Sequence, residues 1–187
     1  MKLPFATANE GKLEEARRVL APYGIEVVPL KVDIWEPKEG SVSEIALEKL
    51  RQVRAQGYQR VMVDDTAIFF AAYDQFPGVL TKRIFDRIGY RGIMKLLEGE
   101  SRAAWFEGAV AVAWDDTEAC FTARTYGEII TCEPEKIVMQ PGMPFNPIFI
   151  PENEQRVWAD LSFEEQLKIS YRGKALRQLA DWLQRAV

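Results

Sequence analysis

The sequence predicts an α/β protein built on a mixed sheet, and three features point there. The first third alternates short apolar runs with stretches of helical spacing, as βα units do. Residues 103–114 and 118–131 read as two strands paired antiparallel across Asp115-Asp116-Thr117. Between these regions Val61 to Phe70 reads as buried strand, yet it carries Asp64 and Asp65 at its centre.

Residues 2–6 make a short first strand. Residues 10–21 follow as a helix, with Leu13, Ala16 and Leu20 at helical spacing and Tyr23-Gly24 as its stop. Ile25 to Leu30 is a second strand, and residues 31–40, with Pro37 and Gly40, are a loop. Ser41 or Ser43 caps a helix to about Gln56 that carries Ala46, Leu50 and Val53 on one face. Residues 60–64 and 67–71 read as strand, interrupted at the carboxylates. Pro77-Gly78 is a turn, followed by two short helices, the second carrying Ile93, Leu96 and Leu97. After the antiparallel pair, residues 140–160 hold prolines and little periodicity. A last helix starts near Tyr171 or Gly173, with Leu176, Leu179, Ala180 and Leu183 facing inward. No repeat or linker interrupts the chain, so residues 1–187 are expected to form one domain.

Composition narrows the chemistry. The chain is 187 residues long, 48% hydrophobic and 28% charged, with a net charge of −4. That balance argues against a nucleic-acid coat, which needs a basic face, while leaving room for a local basic pocket. The two cysteines, Cys120 and Cys132, form no CxxC pair, so a thiolate zinc site is not expected and a reduced, cytoplasmic setting is. No apolar run approaches the ~20 residues that span a bilayer, and Met1 to Phe5 lack a signal-peptide pattern. Histidine is absent. Acid–base work therefore falls to carboxylates, Lys, Tyr or metal-bound water, and the favoured metal is a hard cation on Asp and Glu oxygens, such as Mg²⁺.

Five constellations could carry chemistry, each with a plainer structural use. Thr7-Ala8-Asn9-Glu10-Gly11-Lys12 lies between a strand and a helix, where backbone N–H groups favour anions. Thr7 and Asn9 add donors and Lys12 adds charge, although the same residues cap helices and the Walker A spacing is missing. Glu44 and Lys49 sit on the second helix, as ordinary solvated charges also do. In a strand, adjacent side chains point to opposite faces, so Asp64 and Asp65 serve different sides; alone they also suit a strand-end turn. Phe145-Asn146 sets an aromatic beside an amide, able to stack on and read a nucleobase edge, or simply to form an Asn-Pro turn. Ser170-Tyr171-Arg172 places a tyrosine and an arginine at the start of the last helix.

Taken in order, Thr7-Ala8-Asn9 with Lys12, Ser43-Glu44-Ile45-Ala46-Leu47-Glu48-Lys49, Val63-Asp64-Asp65-Thr66, Phe76-Pro77-Gly78, Pro147-Ile148-Phe149 and Ser170-Tyr171-Arg172-Gly173-Lys174-Ala175-Leu176 make the chain resemble the inosine triphosphate pyrophosphatase family. These enzymes clear non-standard purine nucleoside triphosphates, and the resemblance runs from about residue 3 to residue 183. It implies an elongated fold with a long mixed sheet flanked by helices, two lobes and a substrate cleft between them. It also implies a homodimer, Mg²⁺ dependence, and hydrolysis of a nucleoside triphosphate such as ITP, dITP or XTP to the monophosphate and pyrophosphate. By position, Thr7, Asn9, Lys12 and Lys49 hold phosphates, Glu44 and Asp65 serve the metal with Asp64 close by, and Asp65 activates water. Tyr73, Phe76 and Phe85 suit either the dimer interface or the core.

The base-reading positions depart from the family pattern. Pro144, Phe145 and Asn146 stand where a glycine, an aromatic and an aspartate are usual. Tyr171 replaces a histidine, and Gln166 replaces a lysine that would meet phosphate. Aspartate only accepts a hydrogen bond, whereas Asn146 accepts or donates. Arg172 is retained as a donor for a keto oxygen. The expectation is an intact reaction with a changed base preference, the alternative being a homologue that binds nucleotide with little or no turnover.

Overall fold

The computed structural model describes residues 1–186; Val187, the last residue of the expected domain, lies outside them. Its centre is a mixed sheet of seven strands in the order β2-β1-β3-β5-β6-β7, with β4 paired to β3 alone. β1 (Lys2–Ala6) leads to α1 (Glu10–Leu20), then β2 (Glu26–Leu30), α2 (Val42–Ala55) and β3 (Arg60–Phe70). β1 runs parallel to both β2 and β3, as two successive βα units require. β4 (Pro77–Gly78) and α3 (Thr81–Leu96) precede the long antiparallel pair β5 (Ala103–Trp114) and β6 (Thr117–Ile129). β7 (Phe149–Pro151), α4 (Phe163–Ile169) and α5 (Tyr171–Ala186) complete the chain. The α/β class and the mixed sheet expected from the sequence are therefore present.

Pro77-Gly78, expected as a turn, pairs with β3 as β4, and three further differences from the expected elements have physical causes. β3 is one unbroken strand, because Asp64 and Asp65 each find a cation and need no break. The two short helices after Pro77-Gly78 form one element interrupted at Gly89, whose φ of +58° suits glycine. β7 and α4 arise where little regularity was expected. β7 is a three-residue edge strand ending in Pro151, and an edge is where a sheet tolerates proline.

Alternation along β3 and β5 divides the apolar residues between two faces. Val61, Val63, Ala67 and Phe69, with Ala109, Ala111 and Ala113, pack under Val42, Ala46, Leu50 and Val53 of α2. On the other face Met62, Val110 and Val112 meet Leu13 and Ala16 of α1 and Leu176 and Leu179 of α5. Further along that same face Ile68, Phe70 and Phe106 join α3, Phe145, Phe149 and Trp158. Phe85 is buried in this last cluster, and Tyr73 and Phe76, half-buried, pack against it. Among the described residues no helix is long and apolar enough to cross a membrane.

Candidate active site

Asp64 and Asp65 sit mid-strand in β3, paired in register with Val110 and Ala109 of β5. They point to opposite faces, and each meets a lysine from the helix covering that face. Lys12, in the first turn of α1, donates to Asp64 Oδ1 at 3.0 Å. Lys49, on α2, donates to Asp65 Oδ1 at 2.7 Å and reaches Glu36 Oε1 at 2.9 Å.

The two carboxylates differ in electrostatics. Burial works to raise the Asp64 pKa, but Lys12 and Arg172 outweigh it and hold it at about 2. For Asp65, burial outweighs the Lys49 charge and the pKa is raised. Lys49 is raised too: its burial opposes the charge, and Asp65 and Glu36 restore it. Asp64 is thus a fully compensated anion. Asp65 is a buried carboxylate with cationic support still to gain.

Arg172 fills the space between the two apolar clusters on the Asp64 face. Its Nε donates to Asp64 Oδ2 at 2.8 Å, its Nη1 to Glu15, and its Nη2 to Thr66 Oγ1 at 3.2 Å. The Ser170 hydroxyl also donates to Glu15. Burying a guanidinium is costly unless it is paired, and here Asp64, Glu15 and Thr66 share that task. Tyr171 stacks on Phe106, with ring centroids 5.2 Å apart, and covers Gly108.

The remaining candidates are placed as follows. Asn9 caps α1, its Oδ1 accepting from Lys12 N at 3.1 Å, while Thr7 Oγ1 accepts from Asn9 N at 3.2 Å. Glu44 closes a capping box with Ser41, Oε2 accepting from Ser41 N at 2.7 Å. Gln166 donates to the carbonyls of Trp158 and Leu161, both at 3.0 Å, and so braces a turn. Phe145 is 2% exposed and packs with Phe70 and Phe85, placing its ring in the core rather than on an open surface. Asn146 is buried beside Met143 and Gln140.

The structure therefore brings Lys12, Asp64 and Arg172 into one cluster and Lys49 and Asp65 into another. Glu44 joins neither by a direct bond. Among the described residues no three Asp, Glu, Cys or His side chains converge to hold a metal ion. The donor chemistry still suits a hard cation, because Asp65 Oδ2 and Glu44 Oε1 take no hydrogen bond from the described residues. Mg²⁺ commonly uses one or two carboxylates and completes its shell with water and substrate phosphates.

Glu15, Glu36 and Gln140 carry no candidate role in the sequence, and Thr66 and Met143 stand out there only as members of their motifs. Of the first three, Glu15 alone had a local signal. It lies three residues after Lys12, hence on the same side of α1, yet nothing local tells that side's burial from exposure.

Fold and site together define an α/β protein whose central strand presents paired carboxylate–lysine clusters on both faces. The Ham1 family model matches residues 3–182. A dITP/XTP pyrophosphatase of Thermococcus kodakarensis is 41% identical, the match covering 98% of this chain and 97% of the relative. An inosine triphosphate pyrophosphatase of Yarrowia lipolytica is 33% identical, covering 98% and 96%. A solved HAM1 protein from Coxiella burnetii is similar over 99% of each chain, with a TM-score of 0.81 and 26% identity. The chain belongs to the Ham1 family.

Proposed function

We propose that this protein is a nucleoside triphosphate pyrophosphatase that cleaves the α–β anhydride of a non-standard purine nucleotide, such as ITP, dITP or XTP, releasing the monophosphate and pyrophosphate. The carrying observation is the asymmetry of the adjacent carboxylates: Asp64 is doubly compensated, and Asp65 is buried with a raised pKa. The names of the Thermococcus and Yarrowia relatives support the same reaction.

In this mechanism Lys12 and Lys49 exchange part of their carboxylate contact for phosphate oxygens. Thr7 and Asn9 add donors beside the α1 N-terminus, which favours anions. Asp65 takes the proton of the attacking water through the carboxylate oxygen that Lys49 leaves free. Asp64 stays ionised and keeps Lys12 and Arg172 in place. Glu44 and Asp65, with Asp64 as nearby charge, would hold Mg²⁺, which when bound neutralises phosphate oxygens and acidifies water. Positioning and charge neutralisation are what phosphoryl transfer chiefly requires. Asn146 and Arg172 face the base, backed by Phe145 and Tyr171. Gln166 no longer supplies the phosphate charge a lysine would, and the pocket is rebuilt at these positions. The substrate cleft lies between two lobes of one domain, and the molecule works as a homodimer.

The test is pyrophosphate release with Mg²⁺ across standard and damaged nucleoside triphosphates, ribo and deoxy. Release that drops at least a hundredfold in Asp65→Asn is the expected outcome, given the size of acid–base contributions. Tight nucleotide binding by folded protein without any release would replace this function with a nucleotide-binding role. The departures at Asn146, Gln166 and Tyr171 give that alternative its footing.

A further inference from the structure

Asn146 departs from the usual aspartate, and its amide can in principle present either end. The structure breaks that symmetry. Nδ2 donates to Gln140 Oε1 at 3.4 Å and to Met143 Sδ at 3.2 Å. No described residue donates to Oδ1. Oδ1 also keeps access to solvent, because Trp105 Nε1 is the one fully buried, unpartnered side-chain polar atom among the described residues.

The two partners do different work. A thioether sulfur accepts and never donates. Turning the Asn146 amide over would set Oδ1 against Sδ, two acceptors with no proton between them. Gln140 can rotate its own amide to follow either orientation, so Met143 sets the sense and Gln140 completes it. The same segment reaches the phosphate-side loop: a Cβ built at Gly11 would lie 2.8 Å from the Met143 methyl carbon. Met143 thus touches both the start of α1 and the proposed base reader.

We infer that Met143 and Gln140 are positioning residues that hold Asn146 as a hydrogen-bond acceptor. The ligand class follows from that polarity. A 6-oxopurine carries a proton on N1 and can donate to Oδ1, whereas adenine presents a bare N1 acceptor and is repelled. The neutral amide therefore does the aspartate's work without its charge. This inference rests on Asn146 facing the base, as the proposed function has it.

The experiment is a cycle of variants read in two assays. Met143→Leu, which nearly conserves volume, and the double variant with Gln140→Leu are made in the native protein and in the Asn146→Asp background. Each is titrated with inosine and adenosine monophosphates by calorimetry, and pyrophosphate release from ITP and ATP is measured beside it. In the native background the freed amide should turn and lower the inosine-over-adenosine preference about tenfold, the scale of one hydrogen bond. In the Asn146→Asp background the preference should hold, because the two oxygens of a carboxylate are alike. An equal fall in both backgrounds would mean that these side chains merely pack. No fall in either, or native protein binding adenosine as tightly as inosine monophosphate, overturns the inference too. Binding that follows the predicted pattern with no pyrophosphate released upholds it and removes the pyrophosphatase assignment instead.

Discussion

Asp64 and Asp65 illustrate how much two neighbouring residues of one type can differ. Strand alternation alone separates them onto opposite faces, and that much is legible in the sequence. Their partners are not. Lys12 and Lys49 stand out as phosphate candidates, but nothing local says that each reaches its own carboxylate, because those pairs lie 52 and 16 residues apart. Asp64 carries a testable consequence. Its folded pKa of about 2 lies below the ordinary 3.8. Ionised Asp64 therefore contributes stability above that ordinary value, and the contribution is lost as pH falls through about 2. The shift corresponds to about 2 kcal/mol. Denaturant midpoints measured from pH 5 to pH 2 with chelator present should fall more steeply for the native protein than for Asp64→Asn. The variant should start lower, since it leaves Arg172 and Lys12 short of a partner. Parallel curves would show that Asp64 is not held ionised in the folded state.

Elements with strong periodicity were readable from the chain; those defined by a single pairing were not. α1 and α2 announce themselves by apolar spacing and by caps at Asn9 and Ser41. α4 also had a signal, the Ser162…Glu165 capping box, but seven residues are too few to show a period. β7 exists only because β6 offers it an edge. The start of α5 depends on a feature no pattern reveals: Gly108 pairs with Thr66 on β3, and the Tyr171 ring lies over it. A Cβ at Gly108 would stand 2.6 Å from Tyr171 Cδ2. Gly108→Ala should therefore push Tyr171 and Arg172 outward and destabilise the protein by about 1–3 kcal/mol, the usual cost of overpacking. Thermal unfolding checks the stability. A nucleotide affinity that falls with it would tie the α5 start to the site, whereas unchanged stability would show that the ring moves freely.

At the scale of the whole molecule, the proposed homodimer has one consequence independent of chemistry. Sedimentation should give twice the 21.4 kDa chain mass, whatever the nucleotide. A chain mass that holds across concentrations would remove the dimer. The sequence by itself determined the α/β class, the helix and strand order from β1 to α2, the β5–β6 pair, the absence of histidine chemistry and the residues worth watching. The first four follow from local spacing or from composition and the last also from the family resemblance of the ordered motifs; none needs a distant partner to be visible. Only the tertiary structure decided that β3 runs unbroken through its carboxylates. It also set Phe145 in the core, gave Arg172 to Asp64 and Glu15, and turned the Asn146 amide toward Met143. Those outcomes depend on which distant side chain arrives at a buried polar group to offset its desolvation, and the chain's order does not encode that meeting locally.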